Sequence, residues 1–159
     1  MVPPLLFDIS QIDLEQVQID AHGVEQVNPH RGAMRMLDGL IWFDNLRDSG
    51  YAVAYKDIGN NEFWVPGHIP GRPIFPGVLM IEAGAQLASF MILSHLGGSK
   101  FVGFVGCDKV KFRGQVAPGD RLILLGQGQS IKPRRSICSI QGLVKGSLVF
   151  EASITGMPI

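Results

Sequence analysis

The chain has 159 residues, of which 46% are apolar and 18% charged, and its 14 Lys+Arg balance 14 Asp+Glu. That length fits one domain with a hydrophobic core, and that composition excludes disorder. The charge balance excludes bulk attraction to nucleic acid or anionic lipid.

Residues 1–19 read as an N-terminal extension, opened by "VPP" and dominated by polar residues in "DISQIDLEQVQID". No basic n-region leads into an apolar core, so the segment is not a signal peptide, and a cytoplasmic protein is expected. From residue 20 a single domain runs to 159. A short helix is expected before "NPHRGAMRMLD", where Pro29 and Gly32 punctuate. "GLIWFDNLR" and "GYAVAYKDI", on either side of the turn-like "DSG" (48–50), read as a β-hairpin.

Pro66, Pro70, Pro73 and Pro76 then alternate with Gly67, Gly71 and Gly77, a density that neither a helix nor a central strand tolerates. A long helix begins near Pro76 or Gly77 and ends in "LGGS" (96–99), because proline suits a first turn and glycine terminates helices. "VLMIEAGAQLASFMILSHL" (78–96) approaches the length of a membrane span. It carries Glu82, Gln86, Ser89, Ser94 and His95 and no flanking aromatic belt, which makes it a buried helix instead.

After it come "KFVGFVGCD", "KVKFRGQV", "DRLILLGQGQS", "RRSICSIQGLV" and "SLVFEASITG", read as successive strands, with turns at "APGD" and "KG". "RSICSIQGLV" alternates as a half-buried antiparallel strand does. Cys107 and Cys138 form neither a metal spacing nor a disulfide framework and lie in apolar stretches, so buried free thiols are expected. A helix apolar almost all round must be enclosed, and Ala83, Gly84, Ala85 and Ala88 allow close approach. The sum is an α+β fold: an antiparallel sheet of about six or seven strands curled around one long central helix.

Glu82 is the one carboxylate in that helix, and burial either forces it to find a partner or raises its pKa. A structural anchor and an acid–base group are both open readings. Gln86, one turn on, faces the same way and is placed to orient it. His68 sits in a proline-stiffened loop, and such rigidity suits a general base whose ordinary pKa is ~6.5. Gly77, at a helix N-terminus, offers an unpaired N–H and positive potential to a carbonyl oxygen that gains charge. Base, acid and oxyanion donor together point to proton abstraction beside a carbonyl with loss of a β-substituent. No serine elbow, Walker loop or Rossmann fingerprint competes. His22, His30 and His95 do not pair at ligand spacing, and no metal is expected.

"GHIPGRPIFPGVLMIEAGAQ" resembles the signature of the bacterial 3-hydroxyacyl-[acyl-carrier-protein] dehydratases, H-F-P-G-x-P-[IV]-x-P-G-V-L-x-x-E-A-x-A-Q. "NPHRGAMRMLD" resembles their P-H-R-x(6)-D segment, and "GCDKVKFRGQVAPGD" their D-K-x-x-F-R-x-x-V-x-P-G-D strand and turn. The resemblance covers about residue 20 to the C-terminus. It implies a hot-dog fold, in which His68 is the catalytic histidine, Glu82 the catalytic acid, Gly77 the thioester-carbonyl donor and Gln86 a supporting residue. It also implies a homodimer whose active sites draw on both subunits, three dimers forming a hexamer, and neither metal nor organic cofactor. The substrate would arrive on the phosphopantetheine of acyl carrier protein.

The chain departs from the pattern at Ile69, where phenylalanine is usual, and at "GAMRML", where Arg35 is unexpected near substrate. Lys109, Lys111 and Arg113 alternate along one strand and so share a face, with Lys132, Arg134 and Arg135 forming a second basic group. With an acidic carrier protein as partner, the first trio is the expected contact. A hot-dog acyl thioesterase and a non-catalytic acyl- or carrier-binding module are the competing readings.

Overall fold

The structure, a computed structural model, describes residues 1–44, 50–97 and 101–159. Its elements run β1 (Ile19–Asp20), α1 (Ala21–Val27), a 3-10 turn (Gly32–Met34), β2 (Gly39–Asp44), β3 (Tyr51–Asp57), α2 (Gly77–Leu96), β4 (Val102–Phe112), β5 (Arg121–Ser130), β6 (Ser136–Val144) and β7 (Ser147–Pro158). The strands make one antiparallel sheet in the order β1-β2-β3-β5-β6-β7-β4. It curls around α2, as expected of the hot-dog fold.

The local signals act where they were read. Asp20 caps α1 by accepting from the Gly23 N–H at 2.9 Å. Pro76 precedes α2, and its carbonyl accepts from the N–H groups of Leu79 and Met80. Gly97 ends the helix at φ 63°, a left-handed conformation that costs glycine little; the rest of "LGGS" lies outside the described residues. β2 and β3 pair as the expected hairpin from Gly39↔Tyr55 to Asp44↔Tyr51. Asp48 and Ser49 of its "DSG" turn lie outside the described residues. Lys145 and Gly146, both at positive φ, turn β6 into β7.

Among the described residues α2 is the one helix long and apolar enough to cross a membrane, yet 61% of its most apolar 18-residue stretch is buried inside the fold. Ala83, Leu87, Ala88, Met91 and Ile92 are enclosed by the sheet. A Cβ on Gly84 would stand 3.1 Å from Ile140 Cγ2, so that glycine sets how closely helix and sheet approach. Close packing of this kind makes single methyl groups count.

Three expectations need correction. "KFVGFVGCD" and "KVKFRGQV" are not two strands. They form the single edge strand β4, whose register slips between Phe104 and Gly106 and between Asp108 and Lys111. The second slip, with Lys109 at φ 53°, interrupts the simple alternation assumed for Lys109, Lys111 and Arg113. Cys138 is buried, and burial pushes its thiol up to about 12, but Cys107 is exposed because, among the described residues, no further strand flanks β4.

The alternation in β6 also ends at Ile140, beyond which every residue to Val144 is buried. Residues 1–18 are the cause. Leu6, Phe7, Ile9, Ile12 and Leu14 pack on Ile41, Val53, Ile123, Leu125 and Leu143, the sheet face turned away from α2. The Gln141 side chain grips this strap, accepting from the Leu6 N–H at 2.9 Å and donating to the Pro4 carbonyl at 3.0 Å. Phe7 lies edge-on to Tyr51 with centroids 4.9 Å apart.

Replacing Phe7 by alanine is therefore expected to cost about 2 kcal/mol, less than a fully buried phenylalanine because the ring is half-exposed. Urea unfolding measures it. Deleting residues 1–18 should raise binding of an apolar dye and lower the melting temperature.

Candidate functional site

The 58–76 segment is a mount for His68. Burial pushes Glu62 upward, but the Gly59 N–H, the Trp64 indole N–H and the Lys56 ammonium outweigh it and hold the carboxyl below its usual range. Trp64 packs edge-on to Phe75 with centroids 5.5 Å apart, and the Phe75 N–H reaches the Val116 carbonyl at 2.7 Å. Between those anchors, the Ile69 and Arg72 N–H groups donate to each other's carbonyls, and the Ile74 N–H donates to the His68 carbonyl at 2.9 Å.

The imidazole is exposed, with Nδ1 2.7 Å from the Ile74 carbonyl. A carbonyl only accepts, so Nδ1 carries the proton and Nε2 is left with its lone pair. His68 borders a groove of ≈ 380 Å³ with Gly77, Val78, Met80, Phe112 and Gln115. Gly77 opens α2, so its N–H is one of the orphan donors of a helix start. A Cβ there would stand 2.9 Å from the Phe112 ring, which is 51% exposed and stacks on Phe150. Only glycine brings this backbone against the groove wall. The groove's lining is largely apolar, suited to a neutral carbon chain.

Glu82 does not line this groove, and among the described residues no hydrogen bond or ion pair joins it to His68 within one chain. It lies with His30 and Gln86. Gln86 is buried and fully engaged: its Oε1 accepts from the Met36 N–H at 2.8 Å, while Nε2 donates to the Met34 carbonyl at 2.7 Å and to Glu82 Oε1 at 2.8 Å. Asn28 Nδ2 ties the same turn through the Gln86 carbonyl at 2.9 Å. Glu82 is less enclosed than its apolar neighbours imply, since its side chain keeps 26% exposure.

His30, to which sequence reasoning assigned no role, places Nε2 3.7 Å from Glu82 Oε1. Burial pushes its pKa below the ordinary value; the Glu82 carboxylate opposes that and Arg31 adds to it. The P-H-R segment was the available signal, but only tertiary packing brings it over α2. Arg35 is held by Glu25 at 3.1 Å and Asp38 at 3.3 Å. Arg113 makes two 3.1 Å bonds to Glu151. Lys109 and Lys111 have no ion pair among the described residues. Lys132, Arg134 and Arg135 are exposed around the β5–β6 connection. His22 is 3.3 Å from Gln26 Nε2. Among the described residues no three His, Cys, Asp or Glu side chains cluster at metal-binding distance.

The FabA-like domain matches residues 28–153. The 3-hydroxyacyl-[acyl-carrier-protein] dehydratase FabZ of Mannheimia succiniciproducens is 39% identical over 141 residues, covering 86% of this chain and 90% of that protein. The bifunctional enzyme LpxC/FabZ of Chlorobaculum tepidum is 36% identical over 142 residues, covering 87% of this chain but only 29% of the larger protein. Among solved structures, the dehydratase heterocomplex ApeI:P from Xenorhabdus doucetiae superposes with a TM-score of 0.72 at 14% identity, over 86% of this chain and 90% of that one, a likeness of fold.

Gln86→Leu should destabilise the protein by about 3 kcal/mol in urea unfolding, because the Met36 N–H and Met34 carbonyl lose their partners in a buried place.

Proposed function

Because the chain belongs to the FabA-like family of 3-hydroxyacyl-[acyl-carrier-protein] dehydratases, we propose that it removes water from a 3-hydroxyacyl thioester on acyl carrier protein, giving the trans-2-enoyl thioester of fatty-acid synthesis. The observation that carries this reading is the anchoring of His68 Nδ1–H on the Ile74 carbonyl, with Nε2 left basic beside an apolar groove and the Gly77 N–H.

In the reaction, His68 Nε2 takes a proton from C2 while the Gly77 N–H meets the thioester oxygen, which gains enolate charge. The departing C3 hydroxyl takes its proton from the Glu82 carboxyl. The C3–O bond breaks, the C2–H electron pair becomes the new C2=C3 bond, and water leaves. One proton is taken and one given, with no change of oxidation state, so the balance calls for no organic or metal cofactor. The acyl group would reach the groove on a phosphopantetheine arm. Lys109 and Lys111 would meet the acidic carrier, with Arg113 contributing less because Glu151 offsets its charge.

The site is completed by a second copy. Gly77 and Glu82 are five residues apart on α2, about 7.5 Å along the axis and about 140° around it, so one helix turns them different ways. Val78 is 70% exposed one turn before Glu82. The edge strand β4 leaves Phe104, Val105 and Phe112 exposed. A dimer covers these surfaces and brings His68 of each subunit to the partner's Glu82, with three dimers forming a hexamer. The same reading keeps the protein in the cytoplasm.

Hydration of a short 2-enoyl thioester, followed by loss of its conjugated absorbance, tests the reaction. His68→Ala and Glu82→Gln are each expected to lower kcat about 10³-fold. Turnover at the wild-type rate by His68→Ala would sink the mechanism. Co-expressing the two variants should restore about a quarter of the wild-type rate, since half of randomly paired dimers then hold one intact site of two. No recovery would overturn the sharing of sites.

A further inference from the structure

Glu82 is gripped on one oxygen only. Gln86 Nε2 donates to Oε1 at 2.8 Å, and His30 Nε2 stands 3.7 Å from that same atom. The amide cannot be turned over: a flipped Gln86 would set its oxygen against the Met34 carbonyl and the Glu82 carboxyl, and its NH2 against the Met36 N–H. Oε2 accepts no hydrogen bond among the described residues.

His30 is itself mounted. The Arg31 guanidinium donates to the carbonyls of Glu25 at 2.8 Å, Asn28 at 2.7 Å and His30 at 2.9 Å, which ties the segment to the C-terminal end of α1. The imidazole is three-quarters enclosed, and its Nδ1 is buried with no hydrogen-bond partner among the described residues. A buried nitrogen spent on nothing, on a ring whose other nitrogen faces a carboxyl, is costly to keep for packing alone.

Resting on the dehydratase reading, we infer that His30 is a positioning residue for Glu82: with Gln86 it fixes Oε1, so that Oε2 alone is presented to the departing hydroxyl. A carboxyl turns about its last torsion over a broad, two-fold profile. The His30 ring, 3.7 Å from that oxygen and so beyond direct hydrogen-bond distance, narrows that rotation by electrostatic attraction and by filling the space beside it, and the gain is felt when the C3–O bond breaks rather than when substrate binds. The charged groups acting on the imidazole are Glu82 from α2 and the adjacent Arg31, and Arg31 is itself 3.9 Å from Glu25 of α1, which Arg35 holds at 3.1 Å.

The test compares His30→Ala and His30→Gln, whose amide nitrogen reaches the same place without charge, alone and in a Glu82→Gln background. Steady-state kinetics and melting are read together. His30→Ala is expected to lower kcat about 10- to 100-fold with KM within about twofold, and His30→Gln to recover kcat to within about threefold of wild type. In Glu82→Gln protein, His30→Ala should add nothing further. An NMR titration of the His30 ring in wild-type and Glu82→Gln protein needs no change at His30. Its midpoint should fall in Glu82→Gln, because the carboxylate that favours imidazolium is gone. An unmoved midpoint, a His30→Ala kcat equal to wild type, equal losses in the alanine and glutamine variants, or full additivity with Glu82→Gln overturns the inference. Wild-type turnover by Glu82→Gln itself would instead strike the role of Glu82, whereas an impaired Glu82→Gln beside an unimpaired His30→Ala removes only the part given to His30.

Discussion

Enclosure of α2 is the constraint from which the rest of the fold follows. A twenty-residue helix with one carboxylate must bury most of its apolar surface, and a seven-stranded sheet bends around one side of it while α1 and the 28–36 segment cover part of another. Small residues on the helix let the sheet come close, so Ile140 and Phe150 sit against Gly84 with little room to spare. The partly open stripe through Val78 and Glu82 brings polar chemistry on this helix to the surface, and the helix start at Gly77 presents the positive end of its dipole.

The opposite face of the sheet obeys the same demand in a different way. Ile41, Val53, Ile123, Leu125 and Leu143 would leave a large apolar patch in water. Residues 1–18 remove it by lying across them, fixed at one end by Gln141 and at the other by the Gln18 N–H on the Leu40 carbonyl. The central part of the sheet is thereby covered on both faces. It is a rigid back wall against which α2 and the His68 loop are registered, and a site that must hold its groups to within fractions of an ångström profits from that stiffness.

Two polar mounts stand on this frame, each built around a fully engaged side chain. Glu62 collects a backbone N–H, an indole and an ammonium to hold the loop of His68. Gln86 collects Met34, Met36 and Glu82 to hold the segment of His30. Both chains of contacts end at a titratable group, which is where buried hydrogen bonds contribute most to geometry.

Local signals were sufficient for the helix bounds, the β2–β3 pairing, the 145–146 turn and the enclosed helix, because proline, glycine and hydrophobic period act within a few residues. The motif around 66–86 likewise carried its resemblance to the dehydratases in the chain itself. What only tertiary structure decided depends on contacts between distant residues. The N-terminal apolar side chains looked sparse among polar neighbours until the sheet supplied their partners, from Ile41 and Val53 to Ile123, Leu125 and Leu143. β4 is one strand because β7 pairs along its whole length and absorbs the slips as bulges. Cys107 is exposed because β4 is an edge. His30 meets Glu82 because α1 and the 28–36 segment fold back over α2, and no spacing along the chain encodes a meeting of residues fifty-two positions apart.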